Sequence, residues 1–166
     1  YGQGALGLKD YAKSVFYVDL TEQEAFTIRD RFFEEFPEYT VYHKQMYNLA
    51  KKQGYLTSYS GRRINGIDQR KNCFTIAANC RVQAGNADSM KIALGNMFYE
   101  LKSKGIHPLA ANTILPIGSI YDECLLQANQ EQKEEACEIL ERNLVIAAKE
   151  YVKIIPVDAE AFYGDS

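Results

Sequence analysis

The sequence predicts a helix-rich α+β fold with a small antiparallel sheet. Two observations carry this. Apolar residues recur at helical spacing through residues 21–36, 70–103 and 131–149. β-Branched and aromatic residues crowd around turn signals in residues 55–68 and 113–128. Helices and strands follow one another without internal repeats, which fits an α+β domain.

The elements read as follows. Gly2, Gly4 and Gly7 make a flexible opening before a short helix from about Leu8 to Tyr17. Thr21-Glu22-Gln23-Glu24 forms a capping box, because the Thr21 hydroxyl can accept from the Glu24 N–H while the Glu24 carboxylate reaches back. The helix it starts runs to about Phe36, with Ala25, Ile28, Phe32, Phe33 and Phe36 on its apolar face. Pro37 breaks or kinks it, having no N–H and clashing with the preceding turn. A helix resumes from Tyr39 to Gln53 and stops at Gly54. Ser60-Gly61 and Asn65-Gly66 then mark a small hairpin or an extended loop. A long helix spans about Arg70 to Ser103, with Phe74, Ile76, Val82, Met90, Ala93, Leu94, Met97 and Leu101 as its apolar positions and Gly105 closing it. Ile114, Leu115, Ile117 and Ile120, followed by Cys124, Leu125 and Leu126, predict two short strands meeting at an acidic pair. Glu131 to Lys149 reads as an amphipathic helix with Ala136, Ile139, Leu140, Leu144 and Ala147 inward. Val152 to Val157 is expected to be a last strand, placed at an edge by Pro156.

Composition narrows the class. With 46% hydrophobic and 25% charged residues, the chain can build a core. The formal charge is 19 − 22 = −3, so any nucleic-acid surface must be local. Cys73, Cys80, Cys124 and Cys137 form no CxxC pair and are accompanied by only 2 histidines, which argues against structural zinc and for reduced thiols. No apolar run reaches the roughly 18 residues of a membrane span, and no signal peptide is visible. The chain starts at Tyr1 without an initiator Met and stops at Ser166 without a terminal signal, so the expectation is a piece of a longer protein.

Three stretches carry chemistry. In Ile120-Tyr121-Asp122-Glu123-Cys124-Leu125, adjacent carboxylates between apolar strands suit a divalent metal; the plain alternative is a solvated turn that favours Asp. Asn79 and Gln83 lie four apart, on one helical face, where paired amides can reach the acceptors of a DNA minor groove; the alternative is a polar solvent face. Gly61-Arg62-Arg63, with Arg70 and Lys71 nearby, suits phosphate contacts, or is ordinary surface charge.

Taken in order, these pieces resemble DNA polymerase family A, the DNA polymerase I family. Tyr1-Gly2 is similar to the end of the fingers O-helix pattern, and the helix ending at Phe36-Pro37 resembles the next fingers helix. Residues 54–63, GYLTSYSGRR, resemble the family's Gly-Tyr-x-x-Thr-x-x-Gly-Arg-Arg segment. Residues 79–88, NCRVQAGNAD, resemble Asn-x-Pro-x-Gln-Gly-Thr-Ala-Ala-Asp. Ile120-Tyr121-Asp122-Glu123 resembles motif C, usually Val-His-Asp-Glu. The resemblance runs the length of the chain in register.

It implies a DNA-directed DNA polymerase of replication and repair, a cytoplasmic nucleotidyltransferase of a bacterium or a phage-infected host. Residues 1–54 would be fingers-derived helices. Residues 55–166 would be palm: Arg-containing loop, long helix, motif C hairpin, C-terminal helix and strand. Asp122 would be a catalytic metal ligand, with Glu123 supporting the site. Asn79 and Gln83 would touch the minor groove near the primer end. Tyr1 and Gly2 would lie where the template base is positioned. Arg62, Arg63, Arg81 and Tyr121 would contact DNA. Two Mg²⁺ ions would serve the reaction, with primer–template DNA and dNTP as partners. The sequence departs from the family at Tyr121 (usually His), Thr75 (commonly Arg), Arg81 (usually Pro) and Ala84-Gly85, where the glycine has moved one place. These changes mark a divergent, phage-like member.

Motif A, the dNTP-binding Arg and Lys of the fingers, the thumb and any exonuclease have no counterpart in these residues. The resemblance therefore implies that an N-terminal part of the same polymerase is a partner and that these 166 residues alone are inactive. Two other readings compete. One is a non-catalytic nucleic-acid-binding module on a palm-like scaffold, which keeps Asn79, Gln83 and the basic loop without needing Asp122. The other is a helical interaction protein that never meets nucleic acid.

Overall fold

A computed structural model of the chain describes residues 4–107 and 113–164. It divides into two compact units, between Val82 and Gln83. The class is the helix-rich α+β one expected, but the strands form two separate two-stranded sheets rather than one sheet.

In the first unit, α1 (Ala5–Phe16) ends at Tyr17, whose φ of 56° turns the chain out of the helix. α2 (Glu22–Glu35) opens with the capping box. The Thr21 N–H donates to Glu24 Oε2 at 2.8 Å and the Glu24 N–H to Thr21 Oγ1 at 3.2 Å. The Thr21 N–H and the Thr21 hydroxyl, the latter at 2.7 Å, both donate to the Glu24 carboxylate and hold that carboxyl below its ordinary range. Thr21→Ala is expected to cut the hydrogen-exchange protection of the first α2 amides by roughly fivefold, the usual cost of losing an N-cap oxygen; unchanged protection would show that tertiary contacts alone hold that end. Pro37 does break the helix, and it also opens the next: it occupies the first turn of α3 (Pro37–Gln53), where a missing N–H is harmless. Gly54 closes α3 with φ of 76°.

Residues 55–65 resolve as a hairpin, β1 (Tyr55–Thr57) paired with β2 (Arg63–Asn65), with Leu56 opposite Ile64. Leu56 and Ile67 are fully buried against Met46, Ala50, Cys73, Ala77 and Cys80. This core joins α3, the hairpin and the start of α4 (Cys73–Ser103). The apolar face read along α2 is the main departure. Ala25 is buried, but Ile28, Phe32 and Phe36 are 44–46% exposed. The Phe32 ring packs 5.2 Å from that of Phe36 and 5.5 Å from that of Tyr39 instead of filling a core. With Phe33, Tyr42, His43, Asn79 and Val82, residues Ile28 and Phe32 line a cleft of about 500 Å³. Phe74 and Val82 on α4 are likewise exposed.

In the second unit, Met97, Leu101, Ile114 and Ile139 are fully buried in one cluster with Met90, Ala93, Cys124, Ala136 and Ala147. Each such Leu, Ile or Met contributes about 1.5–3 kcal/mol by leaving water. β3 (Leu115–Ile120) pairs antiparallel with β4 (Glu123–Gln127), and a bulge between Pro116 and Gly118 leaves Ile117 without a partner in the ladder. A 3₁₀ turn (Gln130–Gln132) leads into α5 (Lys133–Lys149). The strand expected over Val152–Val157 does not form; those residues run as a bend. Pro156 cannot donate to a ladder, β3 and β4 pair only with each other, and Ile154 is 97% exposed.

Candidate active site and nucleic-acid surface

In the second unit, strands β3 and β4 bring Ile120 opposite Glu123, leaving Tyr121 and Asp122 as a two-residue turn. Inward Cys124 anchors one side of it, 9% exposed, and burial pushes its thiol up. Tyr121 takes φ of 55° with its side chain 88% exposed. A left-handed aromatic residue costs about 1–2 kcal/mol, and no side-chain burial offsets it. Such outliers collect where a site demands the backbone. Asp122 and Glu123 are both exposed. Neither carboxylate takes part in a hydrogen bond or ion pair among the described residues. Their oxygens are therefore free to ligate. No three of His, Cys, Asp or Glu gather as a metal cluster among the described residues. One or two carboxylates are nevertheless what Mg²⁺ ordinarily takes from a protein, keeping waters and substrate phosphates for its other positions, so this donor set fits that ion as part of a shared site.

In the first unit, residues 54–82 carry Arg62, Arg63, Arg70, Lys71 and Arg81 against a single carboxylate, Asp68, in a chain of net charge −3. The hairpin tip presents Arg62 and Arg63, both exposed. Ser58, 6% exposed, fixes the tip: its N–H donates to Arg62 O at 2.9 Å, and its Oγ accepts from the Arg62 N–H at 3.2 Å. Gly61 supplies the φ of 83° that this closure needs. The Arg63 guanidinium lies 3.8 Å from the Tyr55 ring centre. Arg81 is half-buried on α4 and makes no ion pair among the described residues. Asn79 is half-buried, donating from Nδ2 to Thr75 O at 2.9 Å, whereas Gln83 is exposed. One amide of the pair is thus tied back to its own helix and the other is open. Tyr1 and Gly2 lie outside the described residues.

Sequence reading missed two features. The Tyr121 backbone has no composition signal, since tyrosine is not a turn residue. Asn143, 4% exposed on α5, was hidden as one polar residue in a helix; its Nδ2 donates to Glu100 Oε2 at 2.8 Å and to Ile139 O at 2.7 Å.

The family model for DNA polymerase family A matches residues 1–166. The chain belongs to DNA polymerase family A. DNA polymerase I of Aquifex aeolicus is 31% identical over 167 residues, a match covering 99% of this chain and 27% of that protein. The thermostable DNA polymerase I of Thermus thermophilus is 27% identical over 150 residues, covering 86% of this chain and 17% of the relative. Among solved structures, the polymerase domain of Pol1 from M. smegmatis, in complex with a DNA primer–template and dNTP, superposes with a TM-score of 0.67 at 22% identity. That match covers 89% of this chain and 25% of the neighbour, and shows the fold. This family A chain therefore spans 27% or less of the length of these relatives. No helix among its described residues is long and apolar enough to cross a membrane.

Proposed function

We propose that this chain works as part of a DNA-directed DNA polymerase, which adds dNTPs to a primer 3′-end by two-metal nucleotidyl transfer. The observation that carries the proposal is the pair of open carboxylates, Asp122 and Glu123, at a two-residue hairpin turn in a chain matched end to end by the family A model. Residues 1–54 are assigned to fingers-derived helices and residues 55–166 to the palm.

In the proposed reaction the primer 3′-oxygen bonds to the dNTP α-phosphorus, the bond from that phosphorus to the pyrophosphate oxygen breaks, and the hydroxyl proton leaves to solvent. Asp122 is the metal ligand and Glu123 supports the site. Bound Mg²⁺ supplies activation of the hydroxyl and neutralisation of the leaving oxygen. Gln83 and Asn79 read the minor groove near the primer end, where the acceptors are nearly independent of sequence. For Asn79 this requires its amide to leave the Thr75 carbonyl. Arg62, Arg63 and Arg81 neutralise backbone phosphates. Tyr121 reaches the primer backbone through its hydroxyl, and Tyr1 with Gly2 borders the template base.

One carboxylate turn cannot hold a metal pair and grip a triphosphate, and preorganised charge of that kind usually lowers a reaction barrier more than any other single effect. The remaining ligands are assigned to other parts of the full-length polymerase. A polypeptide of residues 1–166 alone is therefore expected to leave a labelled primer unextended with dNTPs and Mg²⁺. Extension by it alone would overturn this division of labour.

A further inference from the structure

We infer that Tyr55 is a positioning residue: its ring holds the Arg63 guanidinium on the outer face of the β1–β2 hairpin, where it takes one backbone phosphate of the bound DNA. The inference rests on the polymerase reading and deepens its nucleic-acid surface. The register decides which side chains share a face. Tyr55 lies opposite Asn65, Leu56 opposite Ile64, and Thr57 opposite Arg63. Successive side chains of a strand alternate between faces. Leu56 is fully buried and Ile64 packs against the same core, so their face points inward. Tyr55, Thr57, Arg63 and Asn65 therefore make the outer face. There Arg63 is the diagonal neighbour of Tyr55, a separation that a long side chain and an aromatic ring can span. They do span it: Arg63 Cζ sits over the Tyr55 ring, 3.8 Å from its centre, in van der Waals contact.

A carboxylate in the place of that ring would neutralise the guanidinium. An aromatic face attracts the cation through its quadrupole and leaves the charge in place. None of the four residues on this face is acidic. Arg63 is exposed and makes no ion pair or hydrogen bond among the described residues. Its N–H donors, set in a planar fork that matches phosphate oxygens, are open to a ligand. Tyr55 gives it a firm base. The Tyr55 side is half-buried, its carbonyl accepts from Gln53 Nε2 at 2.8 Å, and beyond the ladder the Gly66 N–H donates to Gly54 O at 3.0 Å. An unsupported arginine loses rotamer freedom when it binds a phosphate, whereas one already laid on a ring has lost part of it beforehand.

The test is equilibrium binding of fluorescent primer–template DNA to the full-length polymerase between about 50 and 200 mM KCl, read by anisotropy. It compares the parent with Arg63→Ala, Tyr55→Leu, Tyr55→Phe and the double variant Tyr55→Leu/Arg63→Ala. Arg63→Ala should weaken binding roughly tenfold and flatten the log K against log [salt] slope by about 0.9, the loss of one phosphate contact. Tyr55→Leu should weaken binding by about fivefold at the parent slope, because the charge still meets the phosphate but must first be ordered. Tyr55→Phe keeps the ring and should bind like the parent. In the double variant the leucine should cost nothing beyond the loss of Arg63, since the ring acts only through that side chain. A leucine that costs the same with or without Arg63 would overturn the positioning role and make Tyr55 a prop of the hairpin alone. Tyr55→Leu binding as tightly as the parent would overturn it too. An Arg63→Ala enzyme with the parent's DNA affinity and slope but a raised KM for dNTP would move the phosphate to the nucleotide and overturn the assignment to DNA. A parent enzyme without salt-sensitive DNA binding would sink the polymerase reading itself, a different result from any of these.

Discussion

Asp122→Asn in the full-length polymerase is expected to lower nucleotide incorporation by roughly a thousandfold, as losing one preorganised charge at a reacting centre does, while primer–template affinity stays within about twofold. The substitution keeps size and shape and removes only the charge. The Asp122 side chain makes no described hydrogen bond or ion pair, so its loss disturbs no internal partner. The turn itself is held by the pairing of Ile120 with Glu123 and by buried Cys124. Single-turnover incorporation measured alongside anisotropy separates the two effects. Rates that survive the change would remove Asp122 from the mechanism. Parallel loss of rate and binding would mean that the carboxylate organises the DNA surface instead.

The second large effect concerns stability. Glu100 of α4 receives Arg142 and Asn143 of α5, and Lys104 bonds Glu135 at 2.6 Å. Asn143 is buried, so Glu100→Ala leaves a buried donor short of its charged acceptor, a loss of about 2 kcal/mol. Hydrogen exchange across residues 133–149 of the full chain should show roughly thirtyfold less protection at that cost. An unchanged exchange pattern would show that apolar packing alone seats α5. The network also fixes a pH dependence. Burial pushes the Glu100 carboxyl up, but hydrogen bonds from Asn143 and Arg142 and the charges of Arg142 and Lys104 outweigh it, leaving the group below its ordinary 4.5. A carboxyl depressed by folding stabilises the fold above its unfolded value and loses that contribution as pH falls through the folded value. Protection of α5 should therefore fall below about pH 4.5, and Glu100→Gln should blunt that fall.

The parts of the fold legible in the sequence are those set by a few adjacent residues. Thr21 and Glu24 cap each other whatever lies beyond, Pro37 must break a helix, and Gly54 can take a φ that other residues resist. The acidic turn was legible for a similar reason: apolar residues on both sides of Tyr121-Asp122 give a strand on each flank. Periodicity says which residues share a face, but not what covers that face. Ile28, Phe32 and Phe36 do share a side of α2, and they remain exposed. Val152 to Val157 has strand composition, yet a strand needs a neighbour, and Pro156 removes a donor. Asn143 and Glu100 are 43 positions apart and meet only because α4 and α5 share one core.

The most direct measurement is single-nucleotide primer extension by the full-length polymerase on four templates that differ only in the next template base. The expected result is addition of the complementary nucleotide in each case, dependent on a divalent cation. Salt-sensitive binding of primer–template without incorporation of any nucleotide, in Mg²⁺ or Mn²⁺, would contradict it and leave a nucleic-acid-binding module on a polymerase scaffold.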